Sequence, residues 1–254
     1  MPVKNCAAAP ARTSCNKMRL LITRPIEDAE PLARALEQQG HETVIEALMT
    51  IVDVPAPDLE LDGVQALLIT SANGIRAFAR AHAERGLPVC AVGDASAWAA
   101  RDLGFERVSS AGGDVETLAA MVEKDLDAAG GRLVHVAGSH RAGDLVGMLA
   151  VAGFETRRVV LYEAKAAELI GPKTADTLKR GKLDGVLLFS PRTADLFCRL
   201  VADAGLVEPC RAVTACCLSA AVADVAAAVT WAGIVVAETP DSQALLDAVE
   251  KAVW

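Results

Sequence analysis

The strongest constraint on the fold is a strand-to-helix junction that the chain carries twice. Asp62-Gly63-Val64-Gln65-Ala66-Leu67-Leu68-Ile69 runs into Thr70-Ser71-Ala72-Asn73-Gly74, and Asp184-Gly185-Val186-Leu187-Leu188-Phe189 runs into Ser190-Pro191-Arg192-Thr193-Ala194. A short apolar run that stops at hydroxyl residues and a helix start reads as a buried strand feeding a crossover helix. Two such junctions predict two similar α/β halves. Each half would present a hydroxyl-bearing turn at the carboxyl end of a strand, where open parallel sheets bind ligands.

The duplication extends on both sides of the junctions. Residues 19–50 predict a strand (Arg19 to Thr23), a helix with apolar spacing over Pro31 to Gln39, a closing Gly40, and a second strand from Glu42 to Ile51. Residues 132–163 repeat the order with Gly153 and Glu155-Thr156 in place of Gly40 and Glu42-Thr43, the second strand running from Phe154 to Glu163. After the first junction come a helix over 73–84, a strand over 88–92, the turn Gly93-Asp94-Ala95-Ser96, a short strand near Val108 and an N-capping Asp114. After the second come a helix over 194–201, a strand over 212–217, the turn Leu218-Ser219-Ala220, a strand over 234–237 and a capping Asp241. Matched Asp-Gly-Val, Ser and capping Asp positions indicate duplication rather than generic βα units. Four pieces result: 18–50, 62–127, 132–164 and 184–253. Pattern leaves open whether the first pairs with the second or with the fourth, but either choice gives parallel sheets with right-handed crossovers.

A chain of 254 residues can hold two cores of about 100 to 125 residues. It is 52% hydrophobic but only 4% aromatic, so Ala, Val and Leu must build those cores. No apolar run reaches the roughly 18 residues of a membrane span. The net charge of −8 argues against nonspecific nucleic-acid binding, which needs clustered cations, while leaving room for a local basic pocket. Seven cysteines without a C-x-x-C suggest reduced thiols, a cytoplasmic location and no structural zinc. Residues 1–17 lack the apolar core of a signal peptide and read as a disordered lead, with Met18 as an alternative start.

Five turns could carry chemistry: Thr23-Arg24-Pro25, Thr70-Ser71-Ala72-Asn73, Gly93-Asp94-Ala95-Ser96, Gly138-Ser139-His140-Arg141 and Ser190-Pro191-Arg192-Thr193. Free amides and the positive dipole end of a helix N-terminus suit carboxylates or phosphates, although plain capping explains any single turn. The chain has no Walker A sequence, no G-x-G-x-x-G and no G-x-S-x-G elbow. His41 and His82 read as exposed helix-end residues, His135 as a satisfied core histidine and His140 as a weak site candidate. Tyr162, the only tyrosine, lies at a predicted strand end. A phenol with its ordinary pKa of about 10 can donate a proton at neutral pH without tuning, although packing at a domain edge is the other reading.

Leu21-Ile22-Thr23-Arg24-Pro25, Thr70-Ser71-Ala72-Asn73-Gly74, Ala91-Val92-Gly93, Leu161-Tyr162-Glu163 and Phe189-Ser190-Pro191-Arg192, in that order, resemble the uroporphyrinogen-III synthase family. The resemblance implies two flavodoxin-like domains: 18–48 with 167–254, and an inserted 55–159, joined by linker strands 49–54 and 160–166. It implies conversion of hydroxymethylbilane to uroporphyrinogen III through azafulvene and spiro intermediates, without metal or cofactor, by a monomer that receives substrate from hydroxymethylbilane synthase. It further implies that Tyr162, on the second linker strand, donates a proton to the departing hydroxyl. Arg24, Thr70, Ser71, Gly93, Ser96, Gly138, Arg141, Ser190 and Arg192 would bind substrate carboxylates, with Ser71 and Ser190 facing each other across a cleft. One departure stands out. Many relatives carry Gly-Pro-Thr-Thr-Ala where this chain has Ser219-Ala220-Ala221-Val222-Ala223, so Val222 replaces a hydroxyl residue. Two other readings stay open from sequence: a two-domain binding protein for an anionic small molecule, and a related module that has lost catalysis.

Overall fold

The computed structural model describes residues 17–55, 59–140 and 143–251. The elements begin with β1 (Arg19–Ile22), α1 (Ile26–Gln38), β2 (Glu42–Ile45), β3 (Met49–Asp53), β4 (Val64–Ile69), α2 (Ala72–Ala81), β5 (Val89–Ala91) and α3 (Asp94–Asp102). They continue with β6 (Val108–Ser110), α4 (Val115–Asp125), β7 (Arg132–Gly138), α5 (Leu145–Val151), β8 (Thr156–Ala166) and α6 (Pro172–Lys179). The last are β9 (Gly185–Leu188), α7 (Pro191–Asp203), α8 (Val207–Cys210), β10 (Thr214–Cys217), α9 (Ala220–Ala226), β11 (Gly233–Val236) and α10 (Ser242–Lys251).

The chain forms two compact units. The first takes the described residues up to Thr50 and from Ala166 onward, and the second spans Ile51–Lys165. The first unit's sheet has the order β11-β10-β9-β1-β2, and the second's is β3-β8-β7-β4-β5-β6. The first repeat piece therefore shares a sheet with the fourth, and the second with the third. The paired neighbours β1/β2, β1/β9, β9/β10 and β10/β11 are all parallel, as are β4/β5, β4/β7, β5/β6 and β7/β8. In each unit the strand order reverses at one point, between β1 and β9 or between β7 and β4, and ligand crevices open at such points in sheets of this kind.

Both faces of each sheet are covered, which is why the central strands are apolar at consecutive positions. In the first unit Leu21, Val186 and Leu188 pack with Phe197 of α7 and Val222 of α9, while Leu20, Ile22 and Leu187 face Leu36 of α1 and Leu245 of α10. In the second, Leu67, Ile69 and Val136 pack with Phe78 and Ala100, while Ala66, Leu68 and Leu133 face Leu118 and Leu149. Burying one such large side chain stabilises by about 1.5 to 3 kcal/mol.

Several local expectations need correction. Helix α1 begins at Ile26, ahead of the predicted Pro31, which sits inside it. The predicted strand from Glu42 to Ile51 is two strands in different sheets. Between them Glu46 accepts the Gly171 amide at 3.1 Å and the Thr174 hydroxyl at the start of α6, which draws the chain out of extended pairing. Helices α6, which opens on Pro172 and buries Thr174 and Leu178, and α8, only four residues long, were not expected from the sequence. His41 is buried, with Nε2 2.8 Å from Glu250 and Nδ1 accepting the Met18 amide at 3.4 Å. His82 is half-buried and stacks on Phe78 at 5.3 Å between ring centroids. Among the described residues no helix is long and apolar enough to cross a membrane.

Candidate functional site

In the second unit the switch between β7 and β4 brings three of the singled-out residues together. Strand β4 leads through Thr70 to Ser71, whose extended backbone makes it the N-cap of α2, its hydroxyl accepting the Gly74 amide at 3.2 Å. A Cβ on Gly74 would stand 3.1 Å from the Val136 carbonyl, so glycine there lets the first turn of α2 sit against β7. The β7/β8 register slips between Ala137 and Gly138, and the slip sets Tyr162 opposite Gly138. Such irregularities re-aim side chains at strand ends. The phenol oxygen of the half-buried Tyr162 then lies 2.8 Å from Ser71 Oγ.

The strand ends around this contact are tied down. Ser139 donates its amide to the Tyr162 carbonyl at 2.9 Å. Arg158, four residues before Tyr162 on β8, donates from its guanidinium to the Gly138 carbonyl. Thr70 Oγ1 lies 3.2 Å from Nε2 of His135, which is buried in β7 as a core histidine. Arg158 is a functional candidate that sequence reasoning missed; its one signal was a cation on the strand that carries the only tyrosine.

Elsewhere in this unit, Gly93 is the extended N-cap of α3, and beyond its chain neighbours no atom of the described residues lies within 4 Å of where its Cβ would be. Ser96 is buried, its amide bonded to the Gly93 carbonyl at 3.1 Å. Asp94, in the first turn of α3, accepts the Ser110 hydroxyl at 2.7 Å. His140 is exposed, and Arg141 lies outside the described residues.

The first unit has its own cluster at the β1/β9 switch. Thr23, fully buried, donates to the Leu187 carbonyl at 2.7 Å and joins the two strand ends. The Arg24 guanidinium lies 4.7 Å from the centroid of the Phe189 ring, 3.3 Å from Asp28 and 3.3 Å from the Ser242 hydroxyl. Phe189 leads into Ser190, the N-cap of α7, whose hydroxyl accepts the Thr193 amide at 3.1 Å and lies 2.9 Å from the Thr193 hydroxyl. Arg192 is exposed in the first turn of that helix. Ser219 is the N-cap of α9 without a side-chain capping hydrogen bond among the described residues, and Val222 packs its side chain into the core. The missing hydroxyl at Val222 is thus replaced by apolar packing.

Burial pushes the thiols of Cys90 and Cys198 up to about 11 and those of Cys210 and Cys217 up to about 12, and it raises Cys216 further. These cysteines stay protonated and belong to the packing. What the two switch points offer is one phenol held by a helix cap in the second unit, and in the first a guanidinium stacked beside a serine-capped helix start. The first suits proton donation and the second suits carboxylates.

The family model described as "Uroporphyrinogen-III synthase HemD" matches residues 30–247. Among solved structures, uroporphyrinogen-III synthetase from Helicobacter pylori aligns with a TM-score of 0.61 at 16% identity, covering 91% of this chain and 97% of that one. A mutant uroporphyrinogen III synthase from the extremely thermophilic bacterium Thermus thermophilus aligns with a TM-score of 0.55 at 17% identity, covering 92% and 98%. At these identities the structures speak for the fold. No curated protein matches the chain.

Proposed function

Because the chain belongs to the uroporphyrinogen-III synthase family, we propose how its residues divide the work of cyclising hydroxymethylbilane to uroporphyrinogen III with inversion of ring D. The observation that carries this reading is the placement of the sole tyrosine, opposite Gly138 and 2.8 Å from Ser71 at the strand-order switch of the second unit.

Tyr162 gives its proton to the departing hydroxyl. The carbon–oxygen bond breaks with its electron pair on oxygen, water leaves, and the pyrrole nitrogen's lone pair stabilises the carbon as an N-protonated azafulvene. The electron-rich substituted carbon of ring D attacks that carbon to give a spiro-pyrrolenine, which fragments and recloses. The macrocycle sheds a proton as it closes, which restores the phenol. The substrate supplies most of the reactivity, and the protein's larger contribution is to hold it in the geometry that closes at the substituted carbon.

Holding falls to groups that take carboxylates. Arg24, Arg141 and Arg192 offer planar forks that match a carboxylate bidentately. Thr70, Ser96 and Ser190 offer hydroxyls, the Ser71 hydroxyl being turned to Tyr162, and the chain near Gly93 and Gly138 offers amides. A substrate with eight carboxylates has several to offer to the groups of either unit. We place the reaction in the cytoplasm, in a monomer supplied by hydroxymethylbilane synthase; the buried, unpaired cysteines among the described residues suit a reducing compartment.

Incubation of the protein with enzymatically generated hydroxymethylbilane tests the function itself. The expected product is the type III isomer; type I alone, the isomer that forms spontaneously, overturns the reading.

A further inference from the structure

We infer that Ser71 is a positioning residue for Tyr162: its hydroxyl donates to the phenol oxygen, so that the single phenol proton is left for the substrate. The inference rests on the reading of Tyr162 as the acid and adds how that acid is held.

The direction of the hydrogen bond follows from what else touches the two oxygens. Ser71 Oγ accepts the Gly74 amide at 3.2 Å, and a hydroxyl that accepts one hydrogen bond becomes a better donor in the next. The serine proton needs an acceptor, and the phenol oxygen lies 2.8 Å away. The reverse direction would consume the phenol's only proton on Ser71, whereas the forward one uses each donor once. Amide donates to serine, serine to phenol, and phenol to substrate. Gly138 leaves room for the ring in this arrangement, since a Cβ there would stand 3.0 Å from the phenol oxygen and closer still to the ring. The Ser71 hydroxyl is therefore committed to the phenol ahead of any substrate carboxylate.

The same bond strengthens during the reaction. As the phenol proton passes to the leaving hydroxyl, a phenolate develops in front of the Ser71 O–H, and charge-assisted hydrogen bonds are roughly twice as strong as neutral ones. The positive dipole end of α2 acts in the same sense. An interaction that grows toward the transition state raises kcat and leaves KM alone. The phenolate regains its proton when the closing macrocycle sheds one, so no co-reactant is required.

Tyr162 is the only tyrosine, so the tyrosine Fermi doublet in the Raman spectrum reports one phenol and distinguishes an accepting oxygen from one that only donates. Three variants separate the possibilities. Ser71→Thr keeps both the cap and the donor, Ser71→Ala removes both, and Ser71→Asp keeps a strong N-cap whose ionised oxygens can only accept. The acceptor signature should persist in the parent and in Ser71→Thr and be lost in Ser71→Ala and Ser71→Asp. The last two should also lose about tenfold in kcat with KM unchanged. An unaltered doublet in Ser71→Asp overturns the inference, whatever the activity. A lost acceptor signature combined with full turnover in Tyr162→Phe instead overturns the reading of Tyr162 as the acid.

Discussion

The ring of Tyr162 occupies the space that a side chain on Gly138 would need: a Cβ there would stand 2.8 Å from Cζ and 2.9 Å from Cε2. The clash is purely steric, because Gly138 is not among the glycines with positive φ. Gly138→Ala must therefore displace the ring or the end of β7. Turnover should fall about tenfold or more, and overpacking should cost about 1 to 3 kcal/mol in chemical denaturation. Unchanged kcat would show that the seat of the ring is immaterial.

Arg24 tests the carboxylate side of the proposal. Its guanidinium stacks on Phe189 and reaches Asp28 and Ser242, so its plane is set before substrate arrives. Lysine keeps the charge but loses the fork and the stacking. Arg24→Lys is expected to raise KM about tenfold, the loss of roughly one charge-assisted bond, with a smaller change in kcat. An unaltered KM in steady-state assays would remove Arg24 from the binding set.

The duplication was legible because buried strands and capping residues are local signals, and the matched Asp114 and Asp241 do cap α4 and α10 through the amides of Thr117 and Ala244. The pairing of the four pieces was not, since either pairing buries the same apolar residues. Tyr162 stood out by being unique, whereas Arg158 acquires meaning only through cross-strand register. His41 was misjudged for the same reason: Gly40-His41 looks like an exposed helix end, and the Glu250 that it meets lies 209 residues away. That Val222 turns into the core was equally hidden, because a helix start carries no mark of which positions face inward.

The two capping aspartates also predict an acid sensitivity. The Thr117 amide and hydroxyl hold the Asp114 carboxyl below its usual range, and the Thr239 hydroxyl and Ala244 amide do the same for Asp241. A carboxyl whose pKa is lower in the folded state contributes stability above its unfolded value, and that contribution disappears as pH falls through the folded value. Tm should therefore decline as pH drops below the ordinary carboxylate range. Asp114→Asn and Asp241→Asn, which keep a capping oxygen without the charge, should make the decline shallower; an identical pH profile would contradict the assignment.

The raised thiols make a further prediction. With Cys90, Cys198, Cys210, Cys216 and Cys217 buried and protonated, these positions should resist a thiol-specific reagent in the native protein at pH 8 and react on unfolding. A variant with Cys6→Ser and Cys15→Ser isolates them. Rapid labelling of the folded variant would contradict their packing.

The role of Tyr162 as the acid is tested most directly by isomer-resolved turnover of Tyr162→Phe, a change that removes one oxygen and leaves the ring over Gly138. Uroporphyrinogen III formation should fall by about 10² or more while KM holds, the magnitude expected for loss of a general acid. Type III product formed at the parent rate would contradict that role.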